Sequence, residues 1–310
     1  MRICLCLFLM FLLWPGYATE IALNDALRAT YTACVGIDES LHELKVLAGI
    51  NTAVTSVGTA AGVGAAATGF VKAAKDKEIT VKLDKLREIE AKNPNVTSSE
   101  TDWNVFSASL QSELESAKQE IERYQVELAE LNRQSKTLGN WRTGLLAGNT
   151  ATNIAGAAIA GTNRVDSDLQ SQIEKCKSSV VNLRGAIMQA RINGSDVSEA
   201  ETIASACGEY DYVDISKINK RGTGAMVASS VGAATGLAGT VTSGVANSNN
   251  VRDNNTSEGK QHEKNLNTAA NILSVGATAS SLTATVFNAT QISAIKQVAT
   301  VAEKCTGVLK

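Results

Sequence analysis

The side chains best suited to chemistry are six cysteines and two histidines in a chain of 310 residues. Cys4 and Cys6 lie in "MRICLCLFLMFLLWPGYATE", where one arginine precedes an apolar run that Pro15 and Gly16 break before Ala18. That order is the pattern of a secretory leader, with cleavage expected near Ala18. The run of about twelve residues is shorter than the roughly 17–25 that span a bilayer. The mature chain is therefore expected in a periplasmic or extracellular space, where thiols oxidise. It keeps Cys34, Cys176, Cys207 and Cys305, an even set that reads as two disulfides with three connectivities open.

Other chemistry finds little to work with. His42 in "SLHELK" and His262 in "GKQHEKN" have no second histidine or cysteine at metal spacing, and a catalytic zinc needs three ligands. No "GxSxG" is present, and the glycines from Gly58 lack the GK[ST] ending and preceding strand of a phosphate loop. No catalytic, cofactor-binding or metal residue is assigned, and a non-enzymatic role is expected. A net charge of -2 gives no footprint for nucleic acid. Tyr210 and Tyr212 in "GEYDYVDISKINKRG", with Trp103 and Trp141, are candidate contact aromatics, packing being the alternative. Glycosylation sequons at Asn95, Asn193, Asn254, Asn255 and Asn288 matter only in a host that uses them.

The elements that must carry these residues follow from the breaks. "KNPNVTSSE" around Pro94, "NGSD" at Asn193 and "NSNNVRDNNTSEG" from Asn247 interrupt a pattern that is otherwise helical. Leu110, Leu114, Ala117, Ile121, Tyr124, Leu128 and Leu131 alternate steps of four and three, the seam of a coiled coil. The order of landmarks repeats. "VTSVGTAAGVGA" from Val54 resembles "ASSVGAATGLAG" from Ala228, "NTATNI" at Asn149 resembles "NTAANI" at Asn267, and "EKC" ends at Cys176 and at Cys305. Hence the expected plan is all-α: a leader over 1–18, a helical hairpin over 19–192 with a coiled-coil arm, and a duplicate hairpin over 193–310. Each hairpin would be shut at its open end by a disulfide, Cys34–Cys176 and Cys207–Cys305. The first hairpin's returning arm, 102–142, is longer than its outgoing arm, 72–92, so a lopsided tip or a helix break near "TLGNWRTG" is expected.

Each glycine inside a helix costs about 0.8–1 kcal/mol against alanine, so close packing must offset it. Gly58 and Gly62 are four apart, as are Gly144, Gly148, Thr152, Gly156 and Ala160. Gly224, Ala228, Gly232, Gly236, Thr240 and Gly244 continue the rule. Such rows predict smooth grooves where backbones approach. GxxxG spacing in uncharged stretches also suits membrane helices. Against that stand Asn149, Asn153, Asn163, Asn265, Asn267, Asn271 and Asn288, since an unpaired amide in hydrocarbon costs several kcal/mol. Only 46–71 approaches the needed hydrophobicity. The expectation is an exported structural or protein-binding molecule, with a protein partner or self-association through the arm near 80–135. The alternative is a membrane-active protein that places its glycine-rich helices in lipid. Its plan resembles helical pore-forming toxins in architecture alone, without a shared motif.

Overall fold

A computed structural model describes residues 20–92, 108–254 and 256–309. The leader over 1–18, the turn at Pro94, Trp103 and the sequons at Asn95 and Asn255 lie outside the described residues. All regular structure among the described residues is helical. We number the helices α1 (20–34), α2 (Ile37–Lys92), α3 (Ala108–Thr162), α4 (Ser167–Ile192), α5 (Ser198–Gly208), α6 (Ser216–Ala246), α7 (Asn249–Arg252) and α8 (Ser257–Leu309). A 3₁₀ turn, Glu209–Tyr212, follows α5. Helix α3 runs unbroken through "TLGNWRTG". Breaks fall where the sequence offers a cap or a permissive residue. Gly36 and Gly194 hold φ of 91° and 79°, which suit glycine, between α1 and α2 and after α4. The Asp166 carboxylate accepts from the Leu169 N–H at 2.7 Å and starts α4.

Two compact units share α2, α3, α6 and α8. One contains residues up to 55, 155–228 and from 283 onward. Its core is conventional: Ile37, Leu41, Ile173, Leu183, Ile218 and Ile295 are fully buried, with α1, α4 and α5 supplying further aliphatics. Cys34 is joined to Cys176 and Cys207 to Cys305, all four without solvent exposure. Gln172 fixes the α1–α2 corner by donating to the Val35 carbonyl at 2.9 Å. Tyr210 is buried in this core, and its hydroxyl is pushed well above the usual range by burial, with Asp38 adding to the effect.

The other unit holds 56–154 and 229–282. Here contacts between α2 and α3 descend in opposite directions, from Gly58 beside Thr152 to Asp76 beside Ser135. The same reversal links α3 to α6, with Asn153 facing Gly232 and Arg142 facing Ser243. It links α6 to α8 and α8 to α2 as well, so the four helices form a ring of antiparallel neighbours. Beyond the ring, α2 and α3 continue as a pair around Ile79, Leu128 and Leu131, with Lys82 paired to Glu127. Ala117 and Ile121 of the expected seam are buried too, while the side chains of Leu110 and Leu114 lie outside the described residues.

Two expectations need correction. The compact units do not follow the halves 19–192 and 193–310, because each takes helix segments from both. Small residues on one hairpin are filled by side chains of the other, as Gly62 is by Thr278, so the hairpins pack into one another. The second correction concerns spacing. Burial on α3 falls at Arg142, Leu146, Asn149, Asn153, Gly156 and Ala160, in alternating steps of four and three. A strict four-residue row turns about 40° per step away from a straight seam, whereas alternation holds it. Gly144 and Gly148 therefore leave the contact face, and a Cβ built on either meets nothing within 4 Å.

Gly58, Gly62, Gly232 and Gly236 do sit at helix contacts. A Cβ on Gly232 would lie 2.7 Å from Asn153 Oδ1, and one on Gly236 would lie 2.6 Å from Thr150 Oγ1. Opposite signs are thus expected for one chemical change. Gly148→Ala should stabilise by about 1 kcal/mol from helix propensity alone. Gly232→Ala should destabilise by about 1–3 kcal/mol through overpacking. Thermal melts of the two variants check this, and equal shifts would contradict the assignment of faces.

Candidate functional site

Each of the four long helices carries most of a stretch without charge, 46–71, 143–163, 222–251 and 265–295, the third running past the end of α6 at Ala246. The shortest has 21 residues, close to the roughly 20 that cross a hydrocarbon core of about 30 Å. What these stretches bury, and what they leave outside, is reversed from the usual order. In the second unit the inward positions are Gly58, Gly62, Asn149, Asn153, Ser229 and Ser281, among other small or polar residues, with Leu146 the one large aliphatic among them. The outward positions include Val63, Phe70, Ile154, Leu237, Val241 and Ile272, each more than half exposed. The first unit repeats the rule in its share of the stretches, with Asn51, Asn288 and Gln291 inside and Val46, Ile50, Val227 and Val286 outside.

Many of the inward polar groups are bonded to one another, although Ser229 Oγ, Asn51 Oδ1, Asn149 Nδ2 and Asn153 Oδ1 are buried without a partner among the described residues. Asn51 Nδ2 donates to Asn288 Oδ1 at 2.9 Å, and Asn288 Nδ2 to Thr55 Oγ1 at 3.3 Å. Gln291 Nε2 donates to the Asn163 and Ile218 carbonyls at 2.9 and 3.3 Å. In the other unit Asn153 Nδ2 donates to Ser281 Oγ at 2.7 Å, and that hydroxyl donates to Asn149 Oδ1 at 2.8 Å. Buried amides bonded in pairs forfeit far less than lone ones. The asparagines that count against lipid in the linear sequence are thus mostly turned inward, Asn265 being the exposed member.

Beside these stretches the second unit contains a charged network. Arg142 is fully buried; its Nε donates to Ser243 Oγ at 2.8 Å, Nη1 to Asn271 Oδ1 at 3.0 Å and Nη2 to Asn267 Oδ1 at 2.8 Å. Burial pushes the guanidinium below its ordinary value, and Asp76 opposes that. Lys72, with 1 % of its surface exposed, pairs with Asp76 at 2.7 Å and with Glu263 at 3.8 Å. Asp76 also accepts from Ser135 at 2.5 Å and from Asn267 Nδ2 at 3.2 Å. All three Arg142 acceptors are neutral, so its charge is compensated only at a distance.

The remaining sequence candidates are dispersed. His42 and His262 are exposed on separate helices. Among the described residues, the group of potential metal ligands that lies close together is Cys34, Cys176 and Cys305, whose sulfurs are already committed to disulfides. Tyr212 and Trp141 project into solvent, whereas Tyr210 is core. In the linear sequence Arg142 and Lys72 merely adjoin uncharged stretches. Their tertiary partners come from α6 and α8, more than a hundred residues away, and no local signal announces them.

The helical stretch Glu20–Lys92, α6 and α8 are each long and apolar enough to cross a membrane by length and composition. This corrects the expectation that only 46–71 comes near. Comparison with family models, curated protein sequences and solved structures finds no significant match to this chain.

Proposed function

We propose that this chain is a non-enzymatic integral membrane protein whose four uncharged helix segments lie in lipid. The disulfide-linked helices α1 and α4, with α5, would then lie on the exported side, and the α2–α3 pair beyond Lys72 would serve as a partner-binding arm. The observation that carries the reading is the reversed sidedness of the uncharged segments. In water, exposing a row of valine, isoleucine and leucine forgoes burial worth roughly 1.5–3 kcal/mol per side chain. In lipid the same arrangement is the expected one, because helices there associate through glycine, alanine and serine and through interhelical hydrogen bonds. A charge-free span with every backbone group bonded inside a helix also satisfies the bilayer's strictest demand.

Alkaline carbonate extraction of the full chain, followed by flotation on liposomes, tests this directly. The protein should stay with the membrane and be released by detergent. Leu237→Arg sharpens the result, since Leu237 is 57 % exposed and lies mid-stretch on α6. Arginine at a bilayer centre costs about 2.5–3.5 kcal/mol, while an exposed site in water tolerates it within about 0.5 kcal/mol. Loss of membrane retention is expected. A wild-type chain recovered in the soluble fraction would replace this reading by an exported, water-soluble bundle that self-associates through the same faces.

A further inference from the structure

The second unit contains a cavity of about 480 Å³, lined by Ile79, Val81 and Leu83 and by charged, amide and hydroxyl groups. Its ionic lining is Lys77, Arg252, Lys260 and Lys264 against Asp76 and Glu263. The two carboxylates are already engaged: Asp76 by Lys72, Ser135 and Asn267, and Glu263 by Lys72 and by Lys260 at 3.3 Å. Among the described residues, Lys77 and Lys264 have no ion-pair partner. The Arg252 side chain is 15 % exposed, and its Nη1 is buried without a hydrogen-bond acceptor, although Nη2 reaches Asp253 at 3.0 Å. Immediately behind the cavity wall, Asn267 and Asn271 take up the fully buried Arg142, whose positive charge has no carboxylate in contact.

Cations thus outnumber carboxylates in the lining by four to two, with Lys77 and Lys264 at its exposed rim and Arg252 Nη1 buried without an acceptor. We propose that the cavity binds a phosphate-class oxyanion. Several acceptor oxygens on one small group match cationic donors from three directions, Lys77 on α2, Arg252 on α7 and Lys264 on α8. The volume exceeds what an inorganic ion fills, and the lining by Ile79, Val81 and Leu83 suits an apolar extension. The same chemistry can therefore arrive as a free phosphate or as the headgroup of an anionic phospholipid. The oxyanion inference stands apart from the membrane reading, because the free-ion arm of the test needs no bilayer.

The test uses the full chain in a neutral detergent and reads the thermal midpoint. One arm adds inorganic phosphate, and the second adds phosphatidylglycerol to the micelles with phosphatidylcholine as the neutral counterpart. A rise in midpoint with phosphate assigns the site to the free ion. A rise with phosphatidylglycerol, but with neither phosphate nor phosphatidylcholine, assigns it to the headgroup. In either case Lys77→Gln/Lys264→Gln should reduce the shift at least twofold without changing the ligand-free melt, since both side chains are exposed. Added salt should weaken it further. No rise in either arm, or a rise that the double variant leaves intact, overturns the proposal.

Discussion

Replacing Cys207 and Cys305 together by alanine is expected to lower the unfolding free energy by about 4–5 kcal/mol, among the largest effects of any paired substitution in this chain. The bridge closes a separation of 98 residues and the Cys34–Cys176 bridge one of 142, and the chain-entropy model gives about 4.7 kcal/mol for a loop near 100 residues. Both bridges lie in the aliphatic core of the first unit, so alanine adds a cavity term to the lost cross-link. Single substitutions should behave differently. Sulfurs of Cys34, Cys176 and Cys305 lie within 4.8 Å of one another. In Cys34→Ala, the Cys176 thiolate can attack Cys305 Sγ, forming a Cys176–Cys305 bridge and releasing the Cys207 thiolate. Non-reducing peptide mapping of the single variant should find that rearranged bridge beside the native Cys207–Cys305. Chemical denaturation of the double variant should show the full loss. A change below about 1 kcal/mol would mean that the core, and not the cross-link, sets the stability of that unit.

How much of this was legible in the sequence depends on the range of the signal. The all-α class and the long hairpins follow from local features: breakers at Asn193 and Asn247, and apolar residues at helical steps from Ala117 to Leu131. The repeated landmarks carried further. Gly58 and Gly232 correspond in the two copies, and they meet Thr152 and Asn153, neighbouring residues of one helix. The choice of face was harder to read. In a stretch of glycine, alanine, serine and threonine, rows at four-residue spacing and rows at alternating spacing both fill with small residues. Gly144 and Gly148 therefore looked equivalent to Gly156, yet only Gly156 is buried. The sidedness of the asparagines was hidden for a related reason. A mean over twenty residues counts Asn149 and Asn153 as polar load, whereas the fold pairs them with Ser281 from α8, and the outward face around Ile154 is alanine and glycine. Hydrophobicity averaged along the chain cannot separate an inverted helix from a weakly apolar one.

Arg142 provides the second large effect. Its side chain is buried against two asparagines and a serine from α6 and α8. Arg142→Met keeps most of the volume and removes the donors, leaving Asn267 Oδ1 and Asn271 Oδ1 buried without their partner. Each orphaned acceptor costs about 1–3 kcal/mol, so a loss of about 3–5 kcal/mol is expected for the network. Arg133→Ala is the natural comparison. Arg133 donates to Glu130 from Nε and Nη2 at 2.8 Å, and that pair holds the Glu130 carboxyl down at about 2. Yet it is a solvent-exposed pair within one helix and contributes little. Denaturation of both variants at low and high salt separates the two kinds of charge. The Arg133 effect should vanish in salt, while the Arg142 effect should persist, since screening does not reach a buried group. Equal, small and salt-sensitive losses would mean that Arg142 reaches solvent, and the polar interior of the second unit would then have to be wet at that level.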